Sequence, residues 1–260
     1  MKKYLLLAVC VFFWMAGSAA AVEIAWMQVQ HREYAGGQAF NRLGFGLIDD
    51  GGDYLPDDRS IKEVHLLNPA GKELKLSTVK FDSTDEIFGS YDAKNSRWHF
   101  AGNWQFDSWF SARILDTLEP GVYWLKITTA GGKLVERTFA FNKQVALPFI
   151  DADSFQFIPD SHGNLTWTWK VPFELGPLSL GHKLRARAAM DIFKGQKNTG
   201  YFSIILPVHM GYVFIPAPVV KAINQKGGRF ELKVYLETRD KNNRTYSRPH
   251  QINGKLPEKK

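Results

Sequence analysis

In FELKVYLE, residues 230–237, apolar residues alternate with mostly charged ones. Successive side chains of a β-strand point to opposite faces, so this period of two predicts a strand with one dry face and one wet face. The segment LRARAAMDI, residues 184–192, has the same pattern, and Arg185, Arg187 and Asp191 share its wet parity. Both segments therefore predict half-buried strands of a β-sheet.

The period of two recurs along the chain, whereas helical periodicity is almost absent. Short strands joined by turns rich in glycine, asparagine and aspartate are typical of all-β sandwiches. A single helical turn is predicted at residues 218–224. Besides the two segments above, strands are predicted at residues 23–30, 42–47, 63–67, 73–76, 97–100, 104–114, 122–128, 134–141, 155–158, 165–171 and 201–206.

An internal repeat indicates two domains. The matching positions are Gly121 and Gly228, Leu125-Lys126 and Leu232-Lys233, and Arg137-Thr138 and Arg244-Thr245. Each copy follows a glycine-rich turn and predicts a terminal hairpin. Pro148 cannot donate a hydrogen bond to a sheet and suits a linker. The sequence therefore predicts β-sandwich domains at residues 22–145 and 146–252, followed by a basic flexible tail at 253–260.

Two motifs resemble those of tandem immunoglobulin-like or fibronectin type III-like domains. LEPGVYWL, residues 118–125, resembles the tyrosine corner, and LTWTWKVP, residues 165–172, is similar to an early tryptophan-bearing strand. The resemblance implies two such sandwiches, with the Tyr123 hydroxyl bonded to backbone upstream. The second domain departs from the pattern because Phe230 stands where its corner tyrosine would be. The resemblance implies a fold and no activity.

The start of the chain predicts export. Lys2 and Lys3 precede an apolar run at residues 4–16, and small residues at 17–21 form a signal-peptidase site. Residues 1–21 are therefore predicted to be a cleaved signal peptide of bacterial type, and the mature protein to be periplasmic or secreted. The apolar run is too short for a membrane anchor, and no transmembrane segment is expected after cleavage. The single cysteine, Cys10, leaves with the leader.

Composition and motifs restrict the function classes. The formal net charge is +7, but the basic residues are scattered except at the C-terminus, which argues against nucleic acid as a partner. No nucleophile elbow, zincin motif or phosphate loop is found, so the chain is expected not to be an enzyme. One alternative is a β-sandwich hydrolase with paired carboxylates, for which the nominal candidates are Asp82, Asp85, Glu86 and Asp107.

The remaining expectation is a non-catalytic binding or structural module of the bacterial cell envelope, whose partner is an envelope protein or a polysaccharide. An alternative is a carbohydrate-binding accessory protein, because exposed aromatic rings stack on sugars and anchor protein partners. A packed surface between domains explains the same aromatic residues. The candidate ligand contacts are Trp98, Trp104, Trp109 and Trp124.

Two acidic loops are candidates for calcium, which takes six to eight oxygen ligands. Neither loop has the spacing of an EF-hand, and a solvated acidic turn is the simpler explanation for both. No other cofactor is expected. The candidate metal ligands are Asp49, Asp50, Asp53, Asp151 and Asp153.

Overall fold

The computed structural model describes residues 22–55, 60–101, 103–142, 144–176, 178 and 183–257. The predicted signal peptide therefore lies outside the described residues. Within these ranges, no helix has the length and apolar character that crossing a membrane requires. A 3-10 helix spans Ala152–Ser154, and α1 spans Ala217–Lys226, around the predicted helical turn.

The structure is all-β, as the alternating sequence predicts. The strands are β1 Glu23–Tyr34, β2 Gln38–Ile48, β3 Ile61–Leu67, β4 Lys80–Asp92, β5 Arg97–Phe100, β6 Gln105–Ile114, β7 Gly121–Thr129, β8 Leu134–Phe141, β9 Gln156–Pro159, β10 Leu165–Thr168, β11 Leu184–Lys194, β12 Lys197–Pro207, β13 Tyr212–Ile215, β14 Arg229–Thr238, β15 Asn243–Tyr246 and β16 His250–Asn253.

The largest sheet has ten strands and closes on itself. Its order is β11-β12-β4-β6-β2-β1-β15-β14, and β14 pairs with β11 to complete the ring. The short strands β5 and β16 are attached to β4 and β14 respectively. We call this closed sheet the central barrel.

Strands from both parts of the chain form the barrel wall. β4 runs parallel to β12, with Gly89 opposite Ile204, and β1 runs parallel to β15, with Arg32 opposite Arg244. The sequence predicted two sandwiches with separate sheets, whereas the structure joins their larger sheets into one. Parallel pairing between strands distant in sequence leaves no turn motif between them, which is why the sequence did not indicate it.

Two three-stranded sheets pack on the outside of the barrel, each as one layer of a local sandwich. The sheet β3-β7-β8 covers a core that includes Phe45, Phe110 and Tyr123. The sheet β13-β10-β9, together with α1, covers a second core around Trp167 and Phe202. Because both cores lie against the outer face of the barrel wall, the alternate side chains must face inward.

The inner face of the barrel is consequently polar. On β14, Phe230, Leu232, Val234 and Leu236 belong to the outer core, so Glu231, Lys233, Tyr235 and Glu237 face inward. Lys233 forms an ion pair with Asp191 of β11 on this inner face. The alternation that predicted a wet face was correct, but that face lines the inside of a closed sheet.

The tyrosine corner forms as expected. The Tyr123 hydroxyl donates to the carbonyl oxygen of Glu119 and accepts from its backbone N–H, both at 2.9 Å. The repeated segments form the hairpins β7-β8 and β14-β15, but the first belongs to an outer sheet and the second to the barrel wall.

Three local predictions differ from the structure. Residues 73–76 make only isolated bridges, because the chain turns there from β3 towards the end of β6. The long strand β4 was not predicted, since Gly89 and a series of polar residues interrupt its alternation. Residues 253–257 are not a free tail: Leu256 is buried, and its N–H donates to the Asn224 side chain at 2.8 Å.

Candidate binding site in the central barrel

A cluster of arginines surrounds one buried carboxylate on the inner face of the barrel. Glu237 is fully buried, and its carboxylate accepts hydrogen bonds from Arg185 Nε and from Nε and Nη2 of Arg244. Arg187 Nη2 lies 3.9 Å from the same carboxylate. We call these four residues the arginine cluster.

Strand register brings the cluster together. Arg185 lies directly opposite Glu237 in the β11-β14 pair, and Arg244 lies opposite Glu237 in the β14-β15 pair. Arg187 is two residues from Arg185 and therefore points to the same face. The apolar neighbours Ala186 and Leu236 fill the outer core, which fixes the inward direction of the charged side chains.

The charges of the cluster do not balance. Burial alone would raise the pKa of Glu237, but the nearby charges of Arg244, Arg187 and Arg185 outweigh it and lower the pKa to about 2. The carboxylate is therefore ionised at neutral pH and opposes three guanidinium groups. Lys241 lies beside the cluster, and burial, followed by the charge of Arg185, lowers the pKa of its amino group.

Two donors of the cluster have no acceptor. Arg185 Nη2 and Arg187 Nε are buried, and neither makes a hydrogen bond within the described part of the chain. A buried donor without an acceptor costs about 1–3 kcal/mol, and more when it is charged. The cluster therefore presents charged N–H groups that an added anion would satisfy.

Aromatic rings support the guanidinium groups from the sides. The Arg187 Cζ lies 5.8 Å from the ring centres of both Phe88 and Tyr235. The Arg244 Cζ lies 4.6 Å from the Tyr235 ring, which is next to Tyr246. These contacts hold the planar cations in place and leave their edges free to donate.

An open cleft of about 670 Å³ lies at the end of the barrel where β14 turns into β15. Two of its lining residues adjoin the cluster in the chain: Thr238 directly follows Glu237, and Asn243 directly precedes Arg244. The lining includes two basic side chains, three amides and one carboxylate, so it carries a small positive charge and several hydrogen-bonding groups. Its lining residues are Asn142, Gln144, Val145, Lys183, Thr238, Arg239, Asp240 and Asn243.

A second region of the inner face is aromatic. The Trp26 side chain lies over Gly44 and Gly46 of β2, and a Cβ on Gly46 would overlap Trp26 Nε1. Tyr54, which is 39% exposed, also lies over Gly46. Trp109 of β6 has the inward parity, because Ser108 and Phe110 on either side of it face outward towards Leu55 and the first core.

Polar groups connect the aromatic region to the arginine cluster. Arg42 lies 3.6 Å from Asp82 Oδ2, and that atom accepts a hydrogen bond from Ser111 Oγ at 3.0 Å. Burial, followed by the charge of Arg32, lowers the pKa of Arg42 to about 10, and Arg244 also lowers it. Arg42 is thus close to both regions.

Two of the four nominal hydrolase carboxyls share a polar site on the inner face. Glu86 accepts a hydrogen bond from Ser203 Oγ, which in turn accepts one from Arg187 Nη1. Burial is the main cause of a raised pKa at Glu86, and Asp107 raises it further. Burial also raises the pKa of Asp107. Asp82 pairs with Arg42, as described above.

The four predicted tryptophans do not form one surface. Trp98 and Trp104 pack against the core of the second half, with Trp98 4.7 Å from the Tyr91 ring centre. Trp124 is 43% exposed on the outer sheet, below Lys126. Of these four tryptophans, only Trp109 faces the inside of the barrel. Trp98 and Trp104 lie in a packed surface, which was the alternative that the sequence offered for these aromatic residues.

The predicted metal ligands stabilise turns. Asp49 Oδ1 accepts from the backbone N–H groups of Gly51 and Asp53, and Asp151 Oδ1 accepts from that of Asp153. Among the described residues, no group of three or more histidine, cysteine or acidic side chains could hold a metal ion. Calcium binding at these loops, including Asp50, stays a prediction.

Sequence reasoning missed the arginine cluster. Arg185 and Arg187 were recognised as one wet face of a strand, and Glu237 as a charged residue alternating with the core. Nothing in a single strand distinguishes a face exposed to solvent from the inner face of a closed sheet. The available signal was the pair of arginines at alternate positions, which places two guanidinium groups side by side.

No known protein family matches the sequence, and no curated protein matches it. Among solved structures, the chain resembles a crystal structure of the chicken CNTN1 FN1–FN3 domains, with 8% sequence identity and a TM-score of 0.31. The match covers 91% of this chain and 65% of that one, which is less than two thirds of its length. It is a match to fibronectin type III domains, the fold that the sequence motifs resemble, and no functional inference follows from it.

Proposed function

We propose that this protein is a non-catalytic binding module of the bacterial cell envelope that holds an anionic ligand at the arginine cluster. The observation that carries the proposal is the pair of buried guanidinium donors, Arg185 Nη2 and Arg187 Nε, that have no acceptor among the described residues. They lie beside the fully buried carboxylate of Glu237.

The chemistry of guanidinium groups supports an anion as the ligand. The planar fork of N–H donors matches the oxygens of a carboxylate, phosphate or sulfate, and hydrogen bonds to charged groups are about twice as strong as neutral ones. An anion would compensate the surplus positive charge that Glu237 leaves. The basic side chains of Lys183 and Arg239 in the neighbouring cleft would attract it.

The sequence supports the location in the envelope. Lys2, Lys3, the apolar run and the small residues up to position 21 have the order of a bacterial signal peptide. Within this proposal, the two outer sheets remain parts of two immunoglobulin-like halves, and the barrel between them supplies the ligand site.

The experiment is isothermal titration calorimetry of the mature protein with phosphate, sulfate and citrate at constant ionic strength. We expect saturable binding of at least one anion, weakened at least tenfold, or about 1.4 kcal/mol, in Arg187→Gln. Lys241→Gln, at the turn beside the cluster, should weaken binding without disturbing the core. The matched control is Arg97→Gln on the exposed part of β5, which should leave affinity unchanged. Equal binding by all variants would contradict the proposal.

Glu86 and Asp107 favour one other function, a hydrolase with paired carboxylates. Burial raises the pKa of both carboxyl groups, which is the direction that a general acid in such a pair requires. The test is the release of reducing ends from a panel of polysaccharides. If the wild-type protein is active and Glu86→Gln abolishes that activity, the hydrolase is supported. If the wild-type protein is inactive on every polysaccharide, the hydrolase is excluded for these substrates and the binding module is retained.

A further inference from the structure

We infer that the anionic ligand is a carboxylated oligosaccharide, held by its carboxylate at the arginine cluster and by its sugar rings along Trp26 and Trp109. This inference rests on the proposed function. A carboxylated oligosaccharide would also contact a second region of the same inner face, which a small inorganic anion would not reach.

The backbone is shaped to seat Trp26. Gly44 and Gly46 alternate on the inner face of β2, and the Trp26 ring occupies the space where their side chains would be. Any residue larger than glycine at position 46 would collide with the indole. Tyr54 lies over the same glycine and is 39% exposed. This end of the inner face therefore presents aromatic surface to solvent.

Trp109 extends this aromatic surface onto the next strand. It belongs to β6, which pairs with β2 so that Phe110 lies opposite Phe45, one residue before Gly46. Trp109 also lies opposite Asp82 of β4. An aromatic ring beside a carboxylate is a combination that suits a pyranose, whose C–H face packs on the ring while its hydroxyls bond to polar side chains at the edge.

Hydrogen-bonding groups flank the rings. The carboxylate of Asp82, which is 42% exposed, is held between the Ser111 hydroxyl and Arg42. Gln28 and Gln30 are on the same side of β1 as Trp26, and their side-chain amides donate to the Lys241 carbonyl oxygen at 2.9 and 2.7 Å. These groups fix the turn after β14 against the inner face.

The two regions are continuous. Arg42 lies opposite Gln30 in the β1-β2 pair and 3.6 Å from Asp82, and Arg32, two residues after Gln30 on the same face of β1, lies opposite Arg244. One end of a ligand can therefore contact guanidinium groups while another part contacts tryptophan. An oligosaccharide that carries carboxylates can contact both regions. A free anion can contact only the arginine cluster, and a neutral saccharide can contact only the aromatic region.

The test compares three probes by isothermal titration calorimetry on the full mature protein at constant ionic strength. Trigalacturonate carries rings and carboxylates, maltotriose carries rings alone, and citrate carries carboxylates alone. We expect trigalacturonate to bind at least tenfold more tightly than either of the others. Trp109→Ala should lower its affinity at least tenfold and leave citrate binding within twofold.

Control variants separate a lost contact from a lost fold. Trp124→Ala removes an exposed indole from the outer sheet and should change the binding of neither probe. Trp109→Phe keeps an aromatic ring and should retain most of the trigalacturonate affinity. Circular dichroism and the thermal midpoint of each variant establish that it folds.

The outcomes distinguish this inference from the proposed function. If citrate and trigalacturonate bind equally and Trp109→Ala affects neither, the anion site stands and the saccharide inference is overturned. If trigalacturonate fails to bind the wild-type protein while phosphate, sulfate or citrate binds, only the saccharide inference is overturned. If none of these anions binds, the proposed function fails together with it. Loss of trigalacturonate binding in Trp109→Ala but not in Trp124→Ala supports the inference.

Discussion

At the scale of single residues, Glu237 is the carboxylate that three guanidinium groups share inside the barrel. Glu237→Gln keeps the shape of the side chain and removes its charge, which leaves Arg185, Arg187 and Arg244 opposing one another. We expect the free energy of unfolding to fall by about 3–5 kcal/mol. Urea unfolding followed by tryptophan fluorescence measures this change.

The control for this variant is an ion pair on the surface. Glu136 lies 3.3 Å from Lys126 on the outer sheet, and Glu136→Gln should cost less than about 1 kcal/mol. Equal losses in the two variants would show that Glu237 contributes no more than a surface residue, and the description of the cluster would be wrong.

The pKa of Glu237 predicts how stability depends on pH. Its pKa falls from 4.5 to about 2 on folding, so the unfolded state binds the proton more readily. The stabilisation is complete above pH 4.5 and is lost as the pH falls through about 2, and it amounts to about 3 kcal/mol.

Urea midpoints at pH 5.5 and pH 2.5, converted to free energies of unfolding, check this dependence. Other carboxylates also titrate in this range, so the comparison is between the wild-type protein and Glu237→Gln. The wild-type protein should lose more stability than the variant between the two pH values. The same loss in both proteins would contradict the assigned pKa shift.

The sequence identified several side chains of the site but did not predict how they are grouped. Trp109 was identified as a candidate contact, and Arg185 and Arg187 were recognised as one face of a strand. Their grouping with Glu237 and Arg244 depends on strand pairing across the barrel. That pairing is a property of the folded sheet, and no local spacing encodes it.

At the scale of elements, β4 joins the two parts of the barrel through its parallel pairing with β12. Gly89 is the point of closest approach, since an added Cβ would meet Phe100 Cδ1 at 2.9 Å and Ile204 Cδ1 at 3.1 Å. We expect Gly89→Ala to destabilise the protein by about 1–3 kcal/mol through overpacking. Urea unfolding measures the effect.

A matched glycine provides the control for β4. An added Cβ at Gly228 would meet no atom within 4 Å, so Gly228→Ala should be close to neutral. If Gly89→Ala is equally neutral, the tight packing between β4, β5 and β12 is not present in solution.

The elements that the sequence predicted well are the strands with an unbroken alternation, such as β8 and β11. The prediction missed β4, where glycine and polar residues break the pattern although its polar parity faces inward. It also missed the short strands β13 and β16, because YVFI is apolar throughout and HQIN has a single apolar residue, so neither shows an alternation.

At the scale of the whole molecule, the closed barrel makes each half depend on the other. A fragment of residues 22–145 would lose β12 beside β4 and β15 beside β1, and it would expose strand edges that are paired in the full chain. We expect this fragment to show no cooperative unfolding transition, whereas the mature chain unfolds in a single one.

Circular dichroism during thermal unfolding tests this dependence on the mature chain and on the fragments 22–145 and 146–257. Cooperative unfolding of both fragments, each at the midpoint of the full chain, would show two autonomous sandwiches and contradict a shared barrel.

The sequence predicted the all-β class because alternation reports which faces are dry. It could not predict closure, because the wet face of FELKVYLE has the same pattern whether it faces solvent or the inside of a barrel. The long-range parallel pairs that close the sheet carry no turn signal, and the two halves were therefore expected to be separate.

The arginine cluster is proposed to bind an anion inside the barrel. Crystals soaked in sodium selenate, with diffraction data collected at the selenium edge, locate bound anions directly. We expect an anomalous peak within hydrogen-bonding distance of Arg185 Nη2 and Arg187 Nε, and none there in Arg187→Gln. Peaks confined to surface lysines, with an empty cluster in the wild-type protein, would contradict it.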